Sequence, residues 1–315
     1  MNACLLKIAA DETAELAAMA GRTEDQETAL GISRDVAGNV QEHAWKTDYF
    51  ARCLMNDDRE GGFTYLGASG DGLAMEPGAS GTYFLNSYSW PILAGIARED
   101  QIRAMLAVVK KHLATDAGLR LCTLVDFDRL GVETGTALYF PGDRENCGVF
   151  KHAAMMAVVA SLQAAKTVED EALASDLRDL AFYMIDKTLP YKTLDNPYVL
   201  KGNPRFCTQY NNSETGENIG PMLSGTASWL TLAMYEIFGA EVGKESIRFC
   251  PILRDGAAEE AFTLSLGEVR IHVRIKGRPG CFRPGQDSIY RFGGQESGCE
   301  IRRPLSGDHQ MEIIL

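Results

Sequence analysis

The period of the apolar pattern changes once along this chain, near residue 244, and that change limits the fold more than any other feature. Before it, apolar residues recur at helical spacing over 3–20, 26–45, 86–97, 99–114, 148–166, 169–188 and 221–239. After it, Ile247-Arg248-Phe249-Cys250-Pro251-Ile252 and Glu268-Val269-Arg270-Ile271-His272-Val273-Arg274-Ile275 alternate as half-buried strands do. The pattern predicts a mainly α protein: a helical part over 1–243, then a small antiparallel β unit over 244–315. Asn86 and the pair Glu99-Asp100 suit helix N-termini. The helix expected over 148–166 places Phe150, Ala154, Ala157, Val158 and Leu162 on one stripe, a core-facing pattern.

Bulk composition removes several function classes. At 315 residues the chain is long enough to bury a full core. A formal charge of −12 leaves no basic stripe for nucleic acid or an anionic membrane. No apolar run reaches the roughly 20 residues that span a bilayer. The N-terminus carries acid too early for a signal peptide, so cytoplasm is the expected compartment. Eight cysteines are scattered without a CxxC pair or a histidine in ligand spacing, which argues against a metal site or a disulfide framework.

Long Gly-rich segments separate the helices: 60–81, 118–147 and 190–220. Segments of this length within a domain are usually functional or disordered, and the aromatics here (Phe63, Tyr65, Tyr139, Phe140, Phe206, Tyr210 among them) favour ordered loops.

Two loop-to-helix junctions hold the candidate chemistry. In the first, Pro141-Gly142 leads into Asp143, Arg144, Glu145 and Asn146, and Gly148 is expected to open the helix carrying His152 in its first turn. The second runs from Gly216-Glu217-Asn218 to Ser224-Gly225-Thr226. Carboxylates and amides bind hydroxyls, while free N–H groups at a helix start attract anions such as phosphate. Both junctions also have plain structural readings. His152 can be a satisfied core histidine, and Ser224-Gly225-Thr226 can be a simple cap. Asp143 and Glu214 read as solvated acids. Glu145 and Glu217 each sit in a Glu-Asn pair beside glycine, which suits sugar hydroxyls better. Arg144, Lys151 and Arg205 can neutralise phosphate or balance these acids. Cys147 has nothing local that makes it a nucleophile. No Gly-x-Ser-x-Gly elbow appears, so acyl transfer has little support.

Three segments carry a family resemblance. Phe84-Leu85-Asn86-Ser87-Tyr88-Ser89-Trp90-Pro91-Ile92-Leu93-Ala94-Gly95 resembles a helix motif of the inverting glycoside phosphorylases of glycoside hydrolase family 94. Pro141-Gly142-Asp143-Arg144-Glu145-Asn146-Cys147-Gly148-Val149-Phe150-Lys151-His152 is similar to that family's Pro-Gly-x-Arg/Lys-Glu-Asn-Gly-Gly-x-x-x-His segment. Leu223-Ser224-Gly225-Thr226-Ala227-Ser228-Trp229 is similar to its Thr-Gly-Thr/Ser-Ala-x-Trp segment. The resemblance implies a partial (α/α)6 barrel over 1–243. It implies phosphorolysis of a β-linked gluco-oligosaccharide by inorganic phosphate, giving α-glucose 1-phosphate with inversion. His152, Ser224 and Gly225 would bind phosphate; Arg144, Glu145, Asn146 and Glu217 would bind sugar. No cofactor or metal is expected, only phosphate as co-substrate.

Two departures from the family pattern stand out. Ser224 replaces the usual Thr and keeps the hydroxyl, whereas Cys147 replaces a Gly and adds a side chain to a tight loop. The family's general acid lies in an Asp-Trp-Asn-Asp-like segment, and no Asp-Trp occurs in this sequence. The expectation is therefore the C-terminal part of such an enzyme, inactive alone, with the acid and the barrel's first helices upstream. Open apolar helix faces would then favour homo-oligomers or a missing N-terminal half. Two alternatives are a non-catalytic carbohydrate-binding or scaffold protein, and an inverting glycosidase using Glu145 and Glu217 as its carboxylate pair.

Overall fold

The computed structural model describes residues 1–55, 62–131, 139–193, 201–203, 205–220, 225–303 and 305–315. Among the described residues its α-helices are α1 (Asn2–Met19), α2 (Thr23–Asn39), α3 (Leu85–Leu93), α4 (Glu99–Val108), α5 (Lys151–Thr167), α6 (Glu171–Thr188) and α7 (Thr226–Phe238). Two compact units result, Met1–Ser161 with Tyr183–Trp229, and Leu162–Phe182 with Leu230–Leu315.

In the first unit, α1 and α2 form a hairpin closed at Gly21, whose φ of 71° needs a residue without a side chain. Their buried faces are made of small residues, Ala10, Ala14 and Ala17 on α1 and Ala29 and Ser33 on α2, so the backbones can approach closely. Asp11 is held in this seam by Ser33 Oγ at 2.5 Å and Lys7 Nζ at 2.7 Å. Both α2 and α4 run into one wider π-helical turn, at Val40–Ala44 and Val109–Leu113.

Seven of the nine residues of α3 are buried, from Leu85 to Ile92. It packs without an exposed polar face, and Tyr88 reaches Ser161 Oγ of α5 at 2.8 Å. The expected helix starts move at both loop-to-helix junctions. Gly148 does not open a helix: Val149–Phe150 form a two-residue strand, and α5 begins at Lys151. Phe150 therefore leaves the expected stripe, while Ala154, Ala157, Val158 and Leu162 keep it, each at most 1% exposed. The last helix of this part is described from Thr226; residues 221–224 of the expected span lie outside the described residues.

Short antiparallel ladders order the described loop residues. They pair β1 (Cys53–Leu54) with β2 (Tyr65–Leu66), and β3 (Ala114–Thr115) with β4 (Gly118–Leu119). A third ladder joins β5 (Val149–Phe150), β6 (Tyr210–Asn211) and β7 (Asn218–Ile219). Residues 60–61, 132–138, 194–200 and 204 of the three long segments lie outside the described residues.

The second unit carries the two larger sheets. Strands β8 (Ala240–Val242), β9 (Ser246–Phe249) and β14 (Glu300–Arg302) make one sheet. The other has the order β10 (Glu259–Leu266), β11 (Val269–Lys276), β15 (Asp308–Ile314), β12 (Ile289–Phe292), β13 (Gln295–Ser297). All described pairs are antiparallel except β11 with β15, which run parallel. That one pair corrects the expectation of a purely antiparallel unit. Alternation works as the sequence suggested: Ile271, Val273 and Ile275 point into a core with Phe249, Met311 and Ile313, while Arg270 and Arg274 stay exposed. Arg283 donates to the carbonyls of Ala165 and Val168 and pairs with Glu171, so one cation serves the end of α5 and the start of α6.

Candidate active site

The β5–β6–β7 ladder brings the two junctions together. Val149 pairs with Asn211 and Phe150 with Tyr210; Tyr210 in turn pairs with Ile219 and Asn211 with Asn218. Segment 139–152 and segment 208–220 are thus tied by main-chain hydrogen bonds, although some sixty residues separate them along the chain.

The loop before β5 is tightly closed. Gly142 N–H donates to Asn146 O at 2.8 Å, Asp143 N–H to Phe140 O at 3.0 Å, and Gly148 N–H to Arg144 O at 2.9 Å. Asn146 Nδ2 donates to Tyr139 O at 2.9 Å, and the Arg144 guanidinium lies over the Tyr139 ring. This closure forces Arg144 (φ 48°) and Cys147 (φ 70°) into the left-handed region, which costs a residue with a β-carbon roughly 1 kcal/mol. A β-carbon at Gly148 would stand 2.5 Å from Arg144 N, so only glycine fits there.

Glu145 is exposed, and its Oε1 accepts the Tyr210 hydroxyl at 2.7 Å. Burial, and then the carboxylate beside it, push the Tyr210 phenol well above its usual range. Its ring stacks on Phe150 with centroids 4.7 Å apart. Glu217 pairs instead with Lys201, so the two carboxylates considered as an acid–base pair answer to different partners. Asp143 departs from the solvated reading, because its Oδ1 is buried without a hydrogen-bond partner among the described residues. Glu214 is exposed, as expected.

His152 is the second residue of α5 and is half-buried, its ring edge-on to Phe150. Burial lowers its pKa below that of a free histidine. The imidazole sits against Gly225, where an added β-carbon would lie 2.2 Å from Nε2 and 2.4 Å from Cε1. Gly225 O accepts the Trp229 N–H at 3.0 Å, which makes this glycine the cap of α7. The structure therefore joins His152 to Gly225; Ser224 lies outside the described residues.

A buried polar cluster completes the framework. Lys151 is 1% exposed rather than a solvent-facing counter-charge; its Nζ donates to Thr208 Oγ1 at 2.9 Å and reaches Asn218 Oδ1 at 3.5 Å. Thr208 Oγ1 and Asn211 Nδ2 converge on the same Asn218 oxygen at 2.7 and 3.0 Å. Burial pulls the Lys151 ammonium down to about 8. Only tertiary structure reveals this cluster, since Thr208, Asn211 and Asn218 have no periodic signature. Arg205 is exposed, and its backbone N–H donates to Asn203 Oδ1 at 2.9 Å. Cys147 is buried against Cys122, and that thiol contact together with burial pushes its pKa up. No group of three or more potential metal-ligating side chains occurs among the described residues.

Similarity to known proteins identifies the family. Cellobionic acid phosphorylase of Neurospora crassa is 26% identical over 209 residues, covering 62% of this chain and 23% of that protein. N,N'-diacetylchitobiose phosphorylase of Vibrio proteolyticus is 23% identical over 318 aligned positions, covering 98% of this chain and 36% of that protein. The chain thus spans between about a quarter and about a third of the length of these relatives. A solved structure described as a sialidase shares the fold over 83% of this chain and 22% of its own, with a TM-score of 0.54 at 11% identity. A family model described as "Glycosyl hydrolase 94 superfamily, catalytic domain" matches residues 1–239. With three-quarters of its length inside that match, the chain belongs to the glycosyl hydrolase 94 superfamily through its catalytic domain.

Proposed function

We propose that this chain is the phosphate- and glucosyl-binding part of an inverting glycoside phosphorylase, with residues 1–243 forming a portion of an (α/α)6 barrel and 244–315 a β unit that follows it. His152, Gly225 and Ser224 hold inorganic phosphate; Arg144, Glu145, Asn146 and Glu217 hold the hydroxyls of a β-linked glucosyl ring. In the reaction a phosphate oxygen forms a bond to the anomeric carbon while the glycosidic C–O bond breaks. The leaving oxygen takes a proton from a carboxylic acid, and α-glucose 1-phosphate departs with inverted configuration. Donors aimed at the phosphate stabilise charge that is concentrated in the transition state, each by up to a few kcal/mol.

The observation that carries this reading is the contact of His152 with Gly225 beside the ladder that positions Glu145. A half-buried imidazole facing a helix N-terminal cap suits an anion, and an exposed carboxylate oriented by a tyrosine suits sugar hydroxyls. No Asp-Trp segment occurs in the 315 residues, so in this scheme the proton donor comes from outside them, and the scheme needs no cofactor. An assembly with a further polypeptide that supplies this donor follows from the same reading; a homo-oligomer of these 315 residues adds no Asp-Trp segment.

The test is titration calorimetry of the chain with inorganic phosphate and, separately, with β-linked glucotrioses, followed by assay for glucose 1-phosphate. The expected result is binding of both ligands and no product above background, because protonation of the leaving group is essential. Sugar binding without phosphate binding would replace this reading with a non-catalytic carbohydrate-binding protein, an alternative favoured by the missing Asp-Trp segment. Binding of neither would end both.

A further inference from the structure

Phe140 is the most solvent-exposed large apolar side chain described, with 83% of its surface in water. Its exposure is not that of a loose loop tip. The Phe140 carbonyl accepts the Asp143 N–H at 3.0 Å, and Tyr139 O accepts Asn146 Nδ2 at 2.9 Å. Gly142 O accepts the Ser213 N–H at 2.8 Å, which ties the same turn to the β6–β7 connection. Packing there is close: a β-carbon on Gly142 would meet Ser213 Oγ at 3.1 Å and Glu214 Cγ at 3.2 Å. A tightly bonded turn thus holds a bare aromatic ring in water, and covering such a ring with an apolar surface is favourable. The turn is the one that carries Arg144, Glu145 and Asn146.

A β-glucosyl ring has hydroxyls around its rim and C–H groups on its faces. The rim suits carboxylates and amides, and the face suits an aromatic ring. Here the two kinds of group stand five residues apart on one closed loop, with Tyr139 unavailable because Arg144 covers its ring at 5.0 Å.

We infer that Phe140 is a stacking platform for a second sugar unit, adjacent to the one bound at Glu145, and so sets the preference for β-linked chains over single glucose. This rests on the phosphorylase reading above. A Phe140→Ala chain should bind β-linked glucotriose about tenfold more weakly than the wild-type chain. Its affinities for inorganic phosphate and for glucose, and its melting temperature, should not change, because the side chain packs on little within the protein. Phe140→Trp should retain or tighten glucotriose binding. Equal glucotriose affinity in the wild-type and Phe140→Ala chains would overturn the inference alone. A uniform loss for glucose, phosphate and glucotriose would overturn it too, since the ring would then be supporting the loop. Failure of the wild-type chain to bind any saccharide would overturn it together with the parent reading.

Discussion

His152 and Gly225 touch so closely that the glycine is required for space rather than for backbone freedom. Its conformation lies outside the left-handed region, yet an added β-carbon would fall 2.2 Å from Nε2 of the imidazole and 2.7 Å from Cδ2. The cap of α7 and the first turn of α5 are therefore fitted to each other. Any residue larger than glycine at 225 has to displace the histidine.

That fit yields the first prediction. Gly225→Ala should lower phosphate affinity at least tenfold by calorimetry and cost about 1–3 kcal/mol of stability, as overpacking does. The double variant His152→Ala/Gly225→Ala should regain thermal stability, because the clash is gone, without regaining phosphate binding. Recovery of binding in the double variant would show that the imidazole plays no part.

Gly148 makes a stricter demand. The close neighbours of a β-carbon added there are the backbone N and O of Arg144, at 2.5 and 2.6 Å. Backbone cannot rotate away as a side chain can. Gly148→Ala should open the 143–148 loop, costing upwards of about 2 kcal/mol in urea unfolding and removing measurable glucotriose binding. A stable variant with normal binding would contradict the loop geometry.

Tyr210→Phe removes the 2.7 Å hydrogen bond to Glu145 and leaves the stack on Phe150 in place. Because Glu145 is exposed, the stability loss should be small, about 1 kcal/mol or less. Glucotriose affinity should nevertheless fall several-fold, since the carboxylate loses its orientation. Unchanged affinity in calorimetry would remove Tyr210 from the site.

Lys151 makes stability depend on alkaline pH. Its ammonium is pulled down from an ordinary lysine value to about 8 by burial, so below pH 8 the folded state carries a charge that it disfavours. Between about 8 and the unfolded value near 10.5 the folded state binds fewer protons than the unfolded one, and this group's contribution to stability rises with pH. The contribution is on the order of 3 kcal/mol at full effect. Lys151→Met should abolish that rise in urea unfolding followed from about pH 7.5 to about pH 10. A Lys151→Met chain with the same slope would assign it to other groups.

Much of this architecture is legible in the sequence because it depends on periodicity. The helical spacing over 3–20, 169–188 and 99–114 and the alternation at 268–275 each reflect one buried face, and a buried face is written directly in residue order. The segments Pro141–His152 and Leu223–Trp229 are readable as motifs for a related reason. In the first of them glycine serves local closure, as Gly148 does against Arg144.

Local order could not tell that Val149–Phe150 would leave the helix. The main-chain groups of those two residues are taken by Tyr210 and Asn211, a pairing decided by a segment distant in the chain. The same holds for the Lys151 cluster, whose acceptors come from Thr208 and Asn218, and for the parallel pairing of β11 with β15. The amino-acid sequence determined which stretches are helix or strand and which loops carry polar chemistry, because those follow from near neighbours. Tertiary structure decided which junctions meet, since meeting depends on hydrogen bonds and steric fit between groups that are neighbours only after the chain has folded.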